Sequence, residues 1–162
     1  MNREVVLTYL QALQQSTVKK GLIIEELIKI SKQQEKVAQV PEFDINEFTQ
    51  YMDQKDKWIE ALSTIDNGFG QTFDRIKDTI ISEKELYRTQ IEKLQATIAE
   101  VTSKAVELQT IEKRNKLMVD RRIAEGRKKI KQVKVSSKAA SSYYKNMANV
   151  HYNQSYFLDS KK

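Results

Sequence analysis

The stretch from about Phe73 to Val133 contains no proline and a single glycine, Gly126. From Ile80 its apolar residues fall at Ile80, Tyr87, Ile91, Leu94, Ile98, Val101, Ala105 and Leu108. That three-four alternation is the seam of a helix packed lengthwise against others. Read as one element, the stretch is a rod of roughly 90 Å at 1.5 Å per residue. Glu112 and Asn115 hold the next two seam positions, so the clean seam ends near Leu108 or Ile111. Beyond it Met118, Val119, Ile123, Ile130 and Val133 are sparser and surrounded by charge.

The rest of the chain supplies two shorter helices. In the first, from about Arg3 to Ala38 or Gln39, Val6, Leu10, Leu13, Ile24 and Leu27 form one stripe. Thr17, Lys20, Ser31 and Gln34 fill the polar positions of the same repeat, and Leu22, Ile23, Ile28 and Ile30 widen its middle. Gly21 inside this pattern marks a close helix approach or a slight bend. Pro41 stops the helix near Val40, since the residue before a proline leaves the helical region. Asp44 and Glu47 then form a capping box for a second helix that carries Ile45, Phe48, Met52, Ile59 and Leu62 on one face. Trp58 stands next to that face and Tyr51 on its margin. The short loop between the two helices makes them antiparallel neighbours. Asp66-Asn67-Gly68-Phe69-Gly70 reads as a second reversal, with a kinked continuation as the alternative.

The expected fold is therefore all-α: an elongated antiparallel bundle or coiled coil of three helices at about 3–39, 44–66 and 71–133. Residues 1–134 form the bundle and residues 135–162 a Ser- and Tyr-rich tail. On these lengths about 40 Å of the far end of the third helix has no cover within the bundle. The tail, a second copy or a helical partner could lie there.

Charged content of 31% with one proline favours long helices over a mixed fold. With no cysteine and one histidine, His151, thiolate metal sites, cysteine nucleophiles and histidine triads have no material. No catalytic, metal or cofactor residues are expected, and the chain is read as no enzyme. The start lacks a signal-peptide pattern and no apolar run spans a bilayer, so a soluble cytoplasmic protein is expected. The net charge of +6 is uneven, because ten Lys or Arg residues between Lys113 and Lys134 stand against only Asp120 and Glu125. Arg121, Arg122, Arg127, Lys128, Lys129 and Lys131 make this a solvated face, a dock for an acidic partner, or, third, a nucleic-acid contact.

Several motifs resemble the FlgN-like flagellar export chaperones. They are Gln54-Lys55-Asp56-Lys57-Trp58-Ile59 leading into Ile65-Asp66-Asn67-Gly68-Phe69, Gln109-Thr110-Ile111-Glu112-Lys113-Arg114-Asn115-Lys116, and Tyr143-Tyr144-Lys145. The ending Phe157-Leu158-Asp159-Ser160-Lys161-Lys162 completes the set. The resemblance implies a non-enzymatic chaperone for type III secretion. Such a chaperone binds the C-terminal helical part of hook–filament junction proteins, or, in the related FliT type, the filament-cap protein. Components of the export apparatus are further partners. It also implies that the tail binds the client, which falls here on Ala140, Tyr143, Tyr144, Met147 and Val150, with Tyr156 and Phe157 beyond them. A self-associating coiled-coil scaffold, a homodimer through the exposed seam, is the alternative.

Overall fold

The computed structural model describes residues 1–126 together with Phe157. Within them three long helices make up the bundle: α1 (Arg3–Gln39), α2 (Ile45–Ser82) and α3 (Arg88–Gly126). The fold is the expected all-α three-helix bundle.

Local chemistry explains the first two boundaries. Asn2 caps α1, its side chain accepting from the Glu4 amide at 2.8 Å. Val40 ends it in an extended conformation (φ −69°, ψ 148°) ahead of Pro41. The Asp44 carboxylate then accepts from the amides of Asn46 (2.9 Å) and Glu47 (3.4 Å) and starts α2.

The second reversal is not at Asp66–Gly70. There α2 continues without a break, and the chain turns instead through Glu83 and the 3-10 turn Lys84–Tyr87. The second helix thus ends at Ser82 rather than near residue 66, and the third begins at Arg88 rather than near residue 71. Residues 127–133, expected at the end of the third helix, lie outside the described residues. A balance of magnitudes accounts for the shift. Helical Gly68 and Gly70 each cost about 1 kcal/mol relative to Ala. A reversal at the glycines would strand Leu108, Ile111, Val119 and Ile123 without cover, and each such side chain gains ~1.5–3 kcal/mol by burial. With α2 reaching Ser82, those four side chains are 2%, 2%, 2% and 9% exposed. The far end of the seam is covered by the bundle itself.

Helix α1 is the shared partner. It packs closely along both α2 and α3, whereas the α2 and α3 backbones stand further apart and meet through side chains. α1 and α3 approach closely at Gly21, where a Cβ would meet Val101 Cγ2 at 3.0 Å.

The core divides into three apolar segments along the axis. At the end formed by the start of α1 and the α2–α3 turn lie Val6, Leu10, Leu13, Phe73, Ile76, Ile80, Tyr87, Ile91 and Leu94. Ile24, Leu27, Leu62, Val101, Ala105 and Leu108 fill the middle. Val37, Ala38, Phe48, Met52, Val119 and Ile123 close the end under the α1–α2 loop.

Two buried polar layers separate these segments, built from the polar seam positions of all three helices. In one, Lys20 Nζ lies 2.8 Å from Asp66 Oδ1, both side chains 2% exposed. In the other, Lys55 Nζ donates to Glu112 Oε1 at 2.6 Å and contacts Ser31 Oγ at 3.5 Å. Ser31 Oγ donates to the same Glu112 oxygen, and Asn115 Nδ2 donates to the Ser31 carbonyl at 2.9 Å. A one-heptad slip of α1 or α2 would break both layers and a slip of α3 would break the second, so together they fix the register.

Candidate partner-binding site

Among the expected partner-binding residues, the structure describes Phe157. It is fully buried in the apolar segment at the turn end. Its ring meets Phe73 edge-on, centroids 5.1 Å apart and planes at 66°, and Phe69 at 6.1 Å and 83°. Both arrangements are the edge-to-face geometry that aromatic quadrupoles favour. Phe69 and Phe73 are four residues apart on α2 and so present one aromatic slot on one helix face. The slot exists because α2 is helical across Gly68 and Gly70, and α2 and α3 stand far enough apart to admit a further side chain. Ala140, Tyr143, Tyr144, Met147, Val150 and Tyr156 lie outside the described residues.

Phe69 and Phe73 were not singled out from the sequence. The signal was present: Leu62, Asp66, Phe69, Phe73, Ile76 and Ile80 continue the spacing of Phe48, Met52, Lys55 and Ile59 through the glycines.

On the expected basic face, two residues are described. Arg121 is exposed on α3. Arg122 is held in place by the fold: it donates to the carbonyls of Val40 and Pro41, the latter at 2.7 Å, and lies 5.7 Å over the Phe43 ring. It thereby satisfies carbonyls left open at the end of α1 and clamps the α1–α2 loop to α3. The neighbouring Arg114 pairs with Glu35 at 3.2 Å across to α1. Lys113 and Lys116 are exposed beside them. Arg127, Lys128, Lys129 and Lys131 lie outside the described residues.

The buried ionic groups serve packing. Burial pushes the Lys55 ammonium below its ordinary pKa, opposed by the adjacent Glu112 carboxylate. Fully buried, with its bonds made to Glu112 and Ser31, Lys55 ties α2 to α1 and α3. At the exposed Asp56, partial desolvation reinforced by Asp53 raises the carboxyl above its ordinary value. At the surface, Lys104 donates to Glu25 and holds that carboxylate below its usual value. Among the described residues no three His, Cys, Asp or Glu side chains are grouped to hold a metal ion, and no helix is long and apolar enough to cross a membrane.

No family model, curated protein or solved structure matches the chain.

Proposed function

We propose that the protein is a cytoplasmic flagellar export chaperone of the FlgN-like kind, holding the C-terminal helical part of a hook–filament junction protein before type III secretion. In this reading the slot between Phe69 and Phe73 receives an apolar side chain of the client helix, and Phe157 is its occupant when no client is bound. The observation that supports it is the burial of a tail aromatic, Phe157, against two α2 rings on a bundle whose α2 and α3 backbones stand apart. A surface that accepts an aromatic side chain from elsewhere in the chain has the shape and chemistry for an amphipathic helix, whose anchors are aliphatic and aromatic. Tyr143 and Met147 in the tail add adaptable contacts to the same client.

Calorimetric titration with C-terminal fragments of junction and cap proteins tests this. The expected result is 1:1 binding that tightens with Phe157→Ala, because the competing side chain is gone, and weakens with Tyr143→Ala plus Met147→Ala. Absence of binding to every such fragment overturns the function. Equal affinity of wild type and Phe157→Ala overturns the slot. Leu108, Ile111 and Val119 are buried. The alternative, a self-associating coiled-coil scaffold, is tested by sedimentation across concentration, where a stable dimer without client affinity would favour it.

A further inference from the structure

We infer that the chain has a second folded form, a dimer of two copies in which α2 and α3 join into one helix and each α3 packs on the other copy's α1 and α2. The connection that must open is unusual for a hairpin between two long helices. Ser82-Glu83-Lys84-Glu85-Leu86-Tyr87 contains neither glycine nor proline. Lys84–Tyr87 is already a 3-10 turn, Arg88 is helical (φ −53°, ψ −48°), and Glu83 (φ −118°, ψ 39°) departs from helical geometry. The local sequence thus favours helix where the tertiary fold imposes a turn, and such a conflict in a short hinge promotes exchange of elements between copies.

The contacts are compatible with exchange. The α2 and α3 backbones stand apart, and the side-chain contacts between them, such as Lys55–Glu112, can be remade with α3 of the other copy. In the exchanged dimer each half keeps the three apolar segments and both polar layers, now with α3 supplied by the other copy. Lys20–Asp66 stays within one chain, and Glu112 meets a Ser31 and a Lys55 that belong to the other copy.

A second observation names the surface that gains. The turn end exposes Met1 (63%), Val5 (42%), Ile81 (48%) and Leu86 (43%), large apolar side chains at one end of the bundle. Straightening the connection places the turn ends of the two halves against each other. These four residues then become the junction between them.

Refolding of the full chain from urea at about 1 mM and at about 1 µM, followed by size-exclusion chromatography with light scattering, tests the inference. The expected result is a species of twice the 18.9 kDa chain mass whose share rises with refolding concentration and persists after dilution. Insertion of Gly-Gly after Glu83 eases the turn and opposes the joined helix, lowering the dimer share at least ~10-fold. Deletion of residues 84–86 removes the slack the turn needs and gives dimer at both concentrations. Should that deletion fail to fold, the other two proteins still decide. No dimer from wild type at the higher concentration overturns the inference. So does a dimer that dissociates at once on dilution, or one equally abundant with the Gly-Gly insertion.

Discussion

Replacing Lys20 by Met leaves the Asp66 carboxylate in a site where both side chains are 2% exposed and the ion pair spans 2.8 Å. Among the described residues neither Lys20 Nζ nor Asp66 Oδ1 has a well-aligned hydrogen bond, so little besides the mutual attraction offsets their desolvation. Removing one partner of such a pair costs about 3–5 kcal/mol. Set against a total stability of roughly 5–15 kcal/mol, that is a large share. Replacing both, Lys20→Met with Asp66→Leu, restores an apolar layer between the two flanking segments. The double variant is expected within ~1 kcal/mol of wild type or up to ~4 kcal/mol more stable. Urea unfolding followed by far-ultraviolet circular dichroism gives all four stabilities, provided the m-values agree. The expected cycle shows a coupling of at least ~3 kcal/mol. Single variants each costing under ~0.5 kcal/mol, with additive effects, would show that the two residues do not face each other. The continuity of α2 through residue 66 would then be refuted.

Further outcomes follow from the same geometry. Gly68 is helical with open space around its Cβ position, so Gly68→Ala is expected to stabilise by ~0.5–1 kcal/mol in thermal or urea unfolding. At a reversal in the left-handed conformation the same change would destabilise. Gly21→Ala meets the buried Val101 Cγ2 at 3.0 Å and is expected to destabilise in the same assay. Arg122→Ala frees the Val40 and Pro41 carbonyls and is expected to cost ~1–3 kcal/mol without changing client affinity. For Lys55, burial lowers the folded pKa below the ordinary 10.5 of the unfolded chain. Between the two values the unfolded state binds the extra proton, so this group's contribution to stability rises with pH up to about 10.5. Stability against pH in that alkaline window is expected to climb more steeply in wild type than in Lys55→Met.

Much of the bundle was legible in the sequence. Pro41 and Asp44 mark the first loop, and every apolar seam residue from Ile80 to Leu108 is buried. The second loop was misplaced because its cues pointed the wrong way. Asn67, Gly68 and Gly70 resemble a helix stop, while Glu83–Tyr87, where the chain turns, carries no residue that local chemistry marks as a break. What decides is non-local: cover for the seam residues Leu108, Ile111, Val119 and Ile123, and a partner for Asp66 at Lys20 in another helix. Glu112 and Asn115 were read as the end of the seam for the same reason. Their partners Ser31 and Lys55 lie in α1 and α2, so a polar seam position became an interior layer. At the candidate site, Phe157 stands in the sequence as one of several tail aromatics. Its pairing with Phe69 and Phe73 depends on the helical path across the glycines, which local cues do not reveal.

The proposed displacement of Phe157 by a client can be observed directly. The chain has five phenylalanines, Phe43, Phe48, Phe69, Phe73 and Phe157, so uniform fluorophenylalanine labelling gives five fluorine-19 NMR signals. Phe43 and Phe48 lie at the loop end, whereas Phe69, Phe73 and Phe157 share the slot at the other end. Titration with the C-terminal fragment of a hook–filament junction protein is predicted to move the Phe157 signal to its solvent-exposed position at a 1:1 ratio. The Phe69 and Phe73 signals should shift with it while Phe43 and Phe48 stay fixed. A client that binds and leaves the Phe157 signal unmoved, or no binding at all, would contradict the account.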